Sequence, residues 1–300
     1  MASFTLAEAQ KLGLNDLQAG IAQTIVTVAP GLGLMPFNQV AGNAYAFNRE
    51  LTLVDGQLIG ADGTITDSSA LTNTPVTVNL KGISGQSDIP RMELAMQIGA
   101  NAGNDLRAIH LASAAKGVAR MYQNQLINGT VGANGWDGLD AMLTAFTTQD
   151  VDAADAAFSL DLVDSALSVL TQRAGWIMGN AKAEAAFRKT MRAAGGITSV
   201  ELNGVYFTSY DGIPFIRNDY IATDIDGVTA GNQTNIYFGS WDDGSATGGL
   251  AGVTTYGNMF DVTEIPALEG KDATRLRVVM YGAATVFSPL TVSRLKSVTV

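Results

Sequence analysis

Cysteine is absent from this 300-residue chain, and histidine occurs once, as His110. Without cysteine the chain forms no disulfide, has no thiolate nucleophile and builds no cysteine-based zinc site. A single histidine also removes most imidazole-based catalysis and the usual histidine-rich metal sites. No acid or thiol flanks His110 at a helical spacing that suggests a proton relay, so we expect a surface or packed histidine.

Charged residues are scarce as well. They make up 15% of the chain, against about a quarter in typical globular proteins, whereas apolar residues make up 47%. Such a chain either has a very large interior or covers much of its surface with partners. The formal net charge of −10 argues against a broad nucleic-acid-binding face, which needs clustered lysine and arginine.

Long apolar runs are missing too, since none approaches the roughly eighteen residues of a membrane-spanning helix. The start, from Met1 to Thr5, lacks the basic residue and the apolar core of a secretory signal peptide. The sequence therefore predicts a soluble intracellular product without membrane contact.

No ligand-binding or catalytic motif is complete. The acidic clusters 150–155 and 224–227 partly match calcium loops but lack the distal glutamate of the twelve-residue pattern, so solvated loops are the preferred interpretation. Gly31-Leu32-Gly33 has neither a preceding strand nor the third glycine of a dinucleotide fingerprint. We expect no catalytic residue, no metal, no cofactor and no enzymatic activity.

Among the features that are present, the stretch 89–128 predicts a long helix, the spine. Pro90 suits a first helical position, Glu93 suits the positive end of the helix dipole, and Asn128-Gly129 supplies a stop. Apolar positions at helical spacing are Leu94, Ile98, Leu106 and Ile109. Gly99 and Gly103 weaken the helix in isolation, so we expect support from a backbone packed closely against them.

An amphipathic arm is predicted before the spine, over residues 1–36. Its apolar stripe consists of Leu14, Leu17, Ile21, Ile25 and Val28, and we expect Pro30, Gly31 and Gly33 to end it. The stripe either packs on its own domain or reaches a neighbouring copy. Residues 43–88 then predict a two-stranded ribbon with a loose polar tip at 55–75, and a lone ribbon of this kind is barely stable in water.

The remaining chain mixes helices and strands, which places the protein in the α+β class. Between 129 and 257 we predict a helix at 162–170, a buried strand at 174–179 and a second helix from the cap Asn180 to Arg192. Strand patterns follow at 205–208, 213–216 and 235–239, and again at 260–265, 275–287 and 290–300.

The order of arm, ribbon, spine, mixed region and closing strands resembles the major capsid proteins of tailed bacteriophages of the Hong Kong phage type. Local stretches are similar as well: 36–45 with Asn48-Arg49-Glu50, 127–129 with Trp136-Asp137-Gly138-Leu139, 213–219, 236–241 and 271–284. The resemblance implies a capsid fold with an N-terminal arm (1–36), an extended β-hairpin loop with its lead-in (37–88), a peripheral domain (89–128 and 258–287) and an axial α/β domain (129–257 and 288–300).

By this resemblance the chain is a capsid subunit that assembles in the host cytoplasm, as hexamers and pentamers, into an icosahedral virion shell around double-stranded DNA. Its expected partners are other copies, a separate scaffolding protein, a portal, a decoration protein in some cases, and the DNA through weak non-specific contact. Predicted assembly contacts are Leu17, Ile21, Ile25, Arg49, Glu50, Asp62, Asp67, Lys81, Arg91, Gly99, Gly103 and Trp136.

One departure from the family and two alternatives bear on this interpretation. The founding member cross-links its subunits through a lysine in the extended loop, whereas residues 51–80 contain no lysine here and Lys81 stands at the base of the ribbon. We therefore expect a shell held by noncovalent contacts. The alternatives are an encapsulin-like cellular compartment on the same fold and, from another class, an acidic hydrolase with a β-rich insertion.

Overall fold

The computed structural model describes residues 4–5, 29–52, 58–59, 61, 63, 72–93, 106–223, 232–245, 248–256 and 259–300. The helices are α1 (Pro30–Leu34), α2 (Leu106–Asn128), α3 (Leu139–Thr144), α4 (Leu160–Ser168) and α5 (Ala181–Ala193). The strands are β1 (Phe4–Thr5), β2 (Pro36–Val40), β3 (Ala44–Thr52), β4 (Thr72–Asn79), β5 (Lys81–Pro90), β6 (Asp150–Asp152), β7 (Trp176–Gly179), β8 (Thr198–Leu202), β9 (Val205–Tyr210), β10 (Ile213–Arg217), β11 (Gln233–Gly239), β12 (Leu250–Thr255), β13 (Phe260–Ile265), β14 (Ala273–Val286) and β15 (Val292–Thr299).

Strand β14 organises a six-stranded sheet. Over its first part it lies between β5, which is antiparallel to it from Pro90–Ala273 to Lys81–Gly282, and β13 on its other edge. Its last part pairs with β12, which continues the sheet to β2 and β1. The segment that follows the ribbon in sequence, β5, is thus hydrogen-bonded into this sheet. The boundaries assigned to arm, loop, peripheral and axial segments stay predictions.

Helix α2 covers one face of this sheet. Its buried positions are Leu111, Ala114, Ala115, Val118, Ala119, Tyr122 and Leu126. They recur every three or four residues, which places them on one stripe of the helix. The prediction that Ile109 belongs to this stripe is wrong, because its side chain is 53% exposed. The part of the predicted spine between Leu94 and Asp105 lies outside the described residues.

A glycine sets the distance between sheet and helix. A Cβ atom on Gly85 of β5 would lie 2.4 Å from the carbonyl oxygen of Ala114 and 3.1 Å from a methyl carbon of Val118. Nearby, the Ser87 hydroxyl is 2.7 Å from Nδ1 of His110, which joins strand and helix through a hydrogen bond. A tight backbone approach to the spine therefore exists at Gly85, whereas the positions expected to provide it, Gly99 and Gly103, lie outside the described residues.

The second sheet has seven strands in the order β6-β15-β11-β7-β10-β9-β8. Its apolar face packs against α4 and α5 in a cluster that includes Val163, Phe187, Ile177, Phe215 and Phe238. The predicted cap is confirmed, since the Asn180 side chain accepts a hydrogen bond of 2.8 Å from the backbone N–H of Ala183. Asn180 also donates to the Thr234 hydroxyl at 2.7 Å, which ties the start of α5 to β11.

The end of the predicted arm carries a short helix. Pro30, Gly31 and Gly33, which we expect to end the apolar stripe, themselves form α1, and Ala29 before them is not helical. Proline is favourable at the first position of a helix because the N–H that it lacks has no partner there. Leu32 and Met35 are buried in the core, and a Cβ on Gly31 would meet Ile216 at 2.9 Å. The apolar stripe from Leu14 to Val28 lies outside the described residues.

We predict that Gly85→Ala destabilises the protein by about 1–3 kcal/mol, because the added methyl group forces helix and sheet apart. Thermal unfolding of the purified protein measures this effect. Gly82→Ala on the same strand is the matched control, since its added Cβ would lie no closer than 3.5 Å to its nearest neighbours, the Tyr281 ring and a Val279 methyl carbon, which is ordinary van der Waals contact. Equal melting temperatures for the two variants would contradict the tight contact.

Candidate functional site

Among the described strands, β3 and β4 belong to neither large sheet and pair with each other as a separate ribbon. Its strands pair antiparallel from Ala44–Asn79 at the base to Thr52–Thr72, with an irregularity in register between Glu50 and Thr52. At the base the backbone N–H of Leu80 donates to the Asn43 carbonyl at 2.8 Å. Because an isolated hairpin is marginally stable, its orientation depends on what holds this base.

Arg49, which lies opposite Thr74 past the middle of β3, fastens the ribbon to the end of β14. Its Nη2 donates to the carbonyl oxygen of Val286 at 2.6 Å, and its Nε donates to that of Phe287 at 3.1 Å. The guanidinium carbon also lies 5.6 Å from the ring centre of Phe47 and 5.3 Å from that of Phe146. Burial lowers the pKa of Arg49, but an arginine keeps its charge at any physiological pH. Carbonyl dipoles and ring faces thus stabilise this cation.

Three aromatic rings reinforce the attachment. The ring centres of Phe47 and Phe287 lie 5.0 Å apart at 77°, and Tyr45 packs edge-on against Phe287 at 6.0 Å. Edge-to-face geometry of this kind is favourable beyond the burial of area. The base of the ribbon is therefore held by both a cation and a cluster of rings.

A cavity of about 270 Å³ opens beside this attachment and is called here the ribbon-base cavity. Its lining residues are Arg49, Val76, Thr77, Val78, Asn79, Lys81, Val131, Gly135, Trp136, Asp137, Ala141, Met142, Ala145, Phe146, Ala284 and Thr285. The ribbon, the α3 region and β14 thus each contribute a wall. The charged lining groups are two cations, Arg49 and Lys81, and one acid, Asp137.

Trp136, predicted as an assembly contact, packs inside its own chain. It is 3% exposed, and its ring centre lies 5.4 Å from that of Tyr122 on α2. The turn that carries it is tight, because the N–H of Gly138 donates to the Gly129 carbonyl at 2.9 Å and a Cβ on Gly138 would lie 2.4 Å from the Ile127 carbonyl oxygen. Trp136 therefore supports the cavity wall and offers little surface to another subunit.

The other predicted contact residues fall into two groups. Lys81 lines the cavity, Glu50 pairs with Asn73 through the β3 backbone, and Arg91 donates to the Pro266 carbonyl at 2.8 Å and lies 3.7 Å from Asp272. Seven lie outside the residues that can be placed: Leu17, Ile21, Ile25, Asp62, Asp67, Gly99 and Gly103. Their role in assembly stays a prediction.

The sequence predicts a solvated loop for the acidic cluster 150–155. The first acid of this cluster, Asp150, instead forms an ion pair with Arg294. Asp150 accepts from Nε and Nη2 of Arg294, at 2.9 and 2.5 Å, and Arg294 is 5% exposed. Nη1 of Arg294 donates to Asp140 at 2.7 Å, which joins α3 to β15. Cluster 224–227 lies outside the described residues, and within the described ones no group of three or more histidine or acidic side chains is placed to hold a metal.

Sequence reasoning missed the walls of the ribbon-base cavity. Val76 and Val78 were visible as alternating apolar positions of a strand, and Met142 and Phe146 stand four residues apart in the sequence. These signals are local, however, and nothing in the sequence indicates that the two pairs face one cavity. The anchoring role of Arg49 could not be predicted from the sequence either, because the carbonyl groups that accept its hydrogen bonds lie more than two hundred residues away along the chain.

We predict that Arg49→Ala lowers the free energy of unfolding by about 2 kcal/mol, since it removes two charge-assisted hydrogen bonds from part-buried carbonyls. Arg49→Lys should recover only part of this loss, because an ammonium group lacks the planar fork of donors. Denaturant unfolding measures both. Arg91→Ala is the control, because Arg91 is half-exposed and its contacts contribute less than about 1 kcal/mol. An Arg49→Ala effect no larger than the Arg91→Ala effect would contradict the anchoring role.

No helix in the described part of the chain is long and apolar enough to cross a membrane. No family model and no curated protein matches the sequence. Solved structures do match the fold. The encapsulin of the holo-SrpI complex from Synechococcus elongatus PCC 7942 has a TM-score of 0.69 at 17% identity and covers 98% of this chain and 95% of its own.

Viral and related particles match as well. A structure from Microbacterium phage Oxtober96 has a TM-score of 0.61 at 12% identity and covers 89% of this chain and 90% of its own. The capsid of a native GTA particle has a TM-score of 0.58 at 14% identity, with 88% of each chain covered. The chain therefore has the Hong Kong phage-type capsid fold, which tailed-phage capsids, the GTA capsid and encapsulins share.

Proposed function

We propose that this chain is the major capsid protein of a tailed phage, which assembles as hexamers and pentamers into an icosahedral shell around double-stranded DNA. The observation that carries the proposal is that the shared shell fold takes in nearly the whole of this chain and of its structural neighbours. The order of arm, ribbon, spine and closing strands in the sequence supports the shell fold, and its resemblance to tailed-phage capsid proteins motivates the phage assignment.

The surface supports a subunit that is completed by other copies. Large apolar side chains are exposed on several elements, and Leu58 and Ile59 near the ribbon tip, Met92 and Tyr206 are among them. A closed shell repeats one contact many times under symmetry, so contacts that are weak one by one suffice. The charged fraction of 15% fits a protein that shares much of its surface with neighbours.

The proposal includes partners and excludes catalysis. We expect a separate scaffolding protein, a portal and, in some shells, a decoration protein, and we propose that the subunit itself is structural. The net charge of −10 suits a container of DNA, because a strongly basic inner wall would retain the genome. With no lysine between 51 and 80, we propose that contacts between subunits are noncovalent.

An encapsulin-like compartment is the second candidate. It is favoured by one observation: the Synechococcus encapsulin matches a larger share of both chains than the phage and GTA structures do. The two functions differ in contents, since a phage capsid encloses DNA and a compartment encloses cargo protein.

Electron microscopy of the purified protein, expressed alone or with its scaffolding protein, tests the shell function. We expect closed particles or five- and six-fold capsomers. A protein that stays monomeric at high concentration would overturn the proposal. Nuclease-protected double-stranded DNA in particles from infected or induced cells supports the phage function, whereas a captured enzyme without DNA supports the compartment.

We predict that shortening the ribbon impairs shell formation and spares the fold. Replacing residues 53–71 with an Asn-Gly turn keeps the paired strands up to Thr52 and Thr72, because this dipeptide suits a two-residue hairpin loop. The variant should melt close to the native temperature and yield few closed particles in micrographs. Loss of folding would mean that the replaced segment belongs to the core, and normal shells would mean that the tip is dispensable.

A further inference from the structure

The ribbon-base cavity combines apolar walls with an excess of positive charge. The ribbon and the α3 region both supply apolar side chains, namely Val76, Val78, Met142 and Phe146. The charged lining groups are the cations Arg49 and Lys81 and the single acid Asp137. Asp137 is already engaged, because a carboxylate oxygen accepts the backbone N–H of Val131 at 3.2 Å. The lining therefore offers one positive charge in excess beside apolar surface.

Arg49 lacks the counter-ion that the buried Arg294 has. Arg294 is paired with the carboxylates of its own chain, that of Asp150 among them. Arg49 instead donates through Nε and Nη2 to backbone carbonyls. Within the part of the chain that the structure describes, neither Arg49 nor Lys81 forms an ion pair with a carboxylate. A carboxylate bound beside a part-buried cation would stabilise it, because charge-assisted hydrogen bonds are stronger than neutral ones.

Trp136 adds a hydrogen-bond donor to the same wall. It lines the cavity and is 3% exposed, and its indole Nε1–H has no hydrogen-bond partner among the described residues. Buried donors are paired in the large majority of cases, and an unpaired one costs free energy. An acceptor oxygen bound in the cavity is a suitable partner for this donor.

Size and charge together define the occupant. An apolar cavity of about 150 Å³ accommodates benzene, so one of about 270 Å³ accommodates about ten non-hydrogen atoms on the same scale. One positive charge in excess matches a monoanion, whereas a second negative charge against apolar walls would be costly to bury. Met142 suits an aliphatic chain, because its unbranched side chain adapts to irregular shapes. These properties favour a medium-chain monocarboxylate over a phosphate or a neutral alcohol.

We propose that the ribbon-base cavity is a binding site for a medium-chain aliphatic monocarboxylate. The carboxylate accepts hydrogen bonds from Arg49 and Lys81, and the aliphatic tail packs against Val76, Met142 and Phe146. The ligand then contacts the ribbon and the α3 region at once, so its binding holds the ribbon against the rest of the subunit. This inference needs one chain only and does not rest on the proposed shell function.

Titration calorimetry of the purified protein with sodium octanoate tests the site. We expect saturable binding at one site per chain, and binding of octan-1-ol at least tenfold weaker because the alcohol has no charge for the cations to pair with. Lys81→Gln should raise the Kd of octanoate roughly tenfold, since it removes one charge-assisted hydrogen bond. Lys189→Gln, at an exposed position on α5, is the matched control and should leave this Kd unchanged.

A steric variant locates the bound octanoate. Ala145 is exposed and lines the cavity, so Ala145→Phe places a ring in it and should abolish octanoate binding. Ala185→Phe, at an exposed position on α5, is the matched control and should bind octanoate as the native protein does. Hydrogen exchange gives an independent readout: octanoate should slow exchange across 76–79 and 141–146 and leave the hairpin 198–210 unchanged.

Several results would overturn the carboxylate site. They are no saturable binding of octanoate, equal binding of octanoate and octan-1-ol, or native binding by Ala145→Phe. If octanoate does not bind and Ala145→Phe also prevents particle formation, the cavity belongs to a contact between copies. Particle formation is scored separately by electron microscopy, so failure of the carboxylate site and failure of the shell function are distinguishable.

Discussion

The rest of the structure depends on the hydrogen bonding of strand β14. Over its first part this strand is paired on both edges, with β5 along ten residues and with β13 on the other side, and α2 closes over the resulting sheet. At the end of β14, the carbonyl oxygens of Val286 and Phe287 accept hydrogen bonds from the guanidinium group of Arg49. One strand therefore fixes both the central sheet and the base of the ribbon, and a change in its register would displace both.

This arrangement accounts for the firm attachment of the ribbon to the rest of the chain. A hairpin gains little from its own hydrogen bonds, so the aromatic rings of Tyr45, Phe47 and Phe287 and the cation Arg49 must hold it. The ribbon-base cavity lies between the ribbon and the α3 region. It stays open because the ring of Phe146 packs against Arg49 and only lines the cavity. Anchoring the ribbon and forming the cavity are two results of the same packing.

The sequence predicted what local signals determine. The Asn180 cap and the strands at 205–208, 213–216 and 235–239 follow from side-chain period and capping chemistry, and the structure confirms them. Contacts between distant segments were not predictable in this way. Gly85 against Ala114, Arg49 against Val286 and Arg294 against Asp150 join residues whose neighbourhood is set by the folded sheets. The error at Ile109 has the same origin, because its spacing from Leu106 fits a helical stripe and the sheet covers a different face.

The distribution of charge bears on how copies of an acidic subunit would associate under the proposed shell function. Arg49, Arg275 and Arg294 are engaged by carbonyls or by Asp88, Asp140 and Asp150 of their own chain, and the chain as a whole keeps a net charge of −10. Like charge keeps separate subunits soluble and opposes their association. Burial of apolar side chains must then supply the free energy of contact, since exposed ion pairs are weak and screened by salt. Under the proposed shell function, the low charge fraction therefore favours contacts between copies through apolar surface.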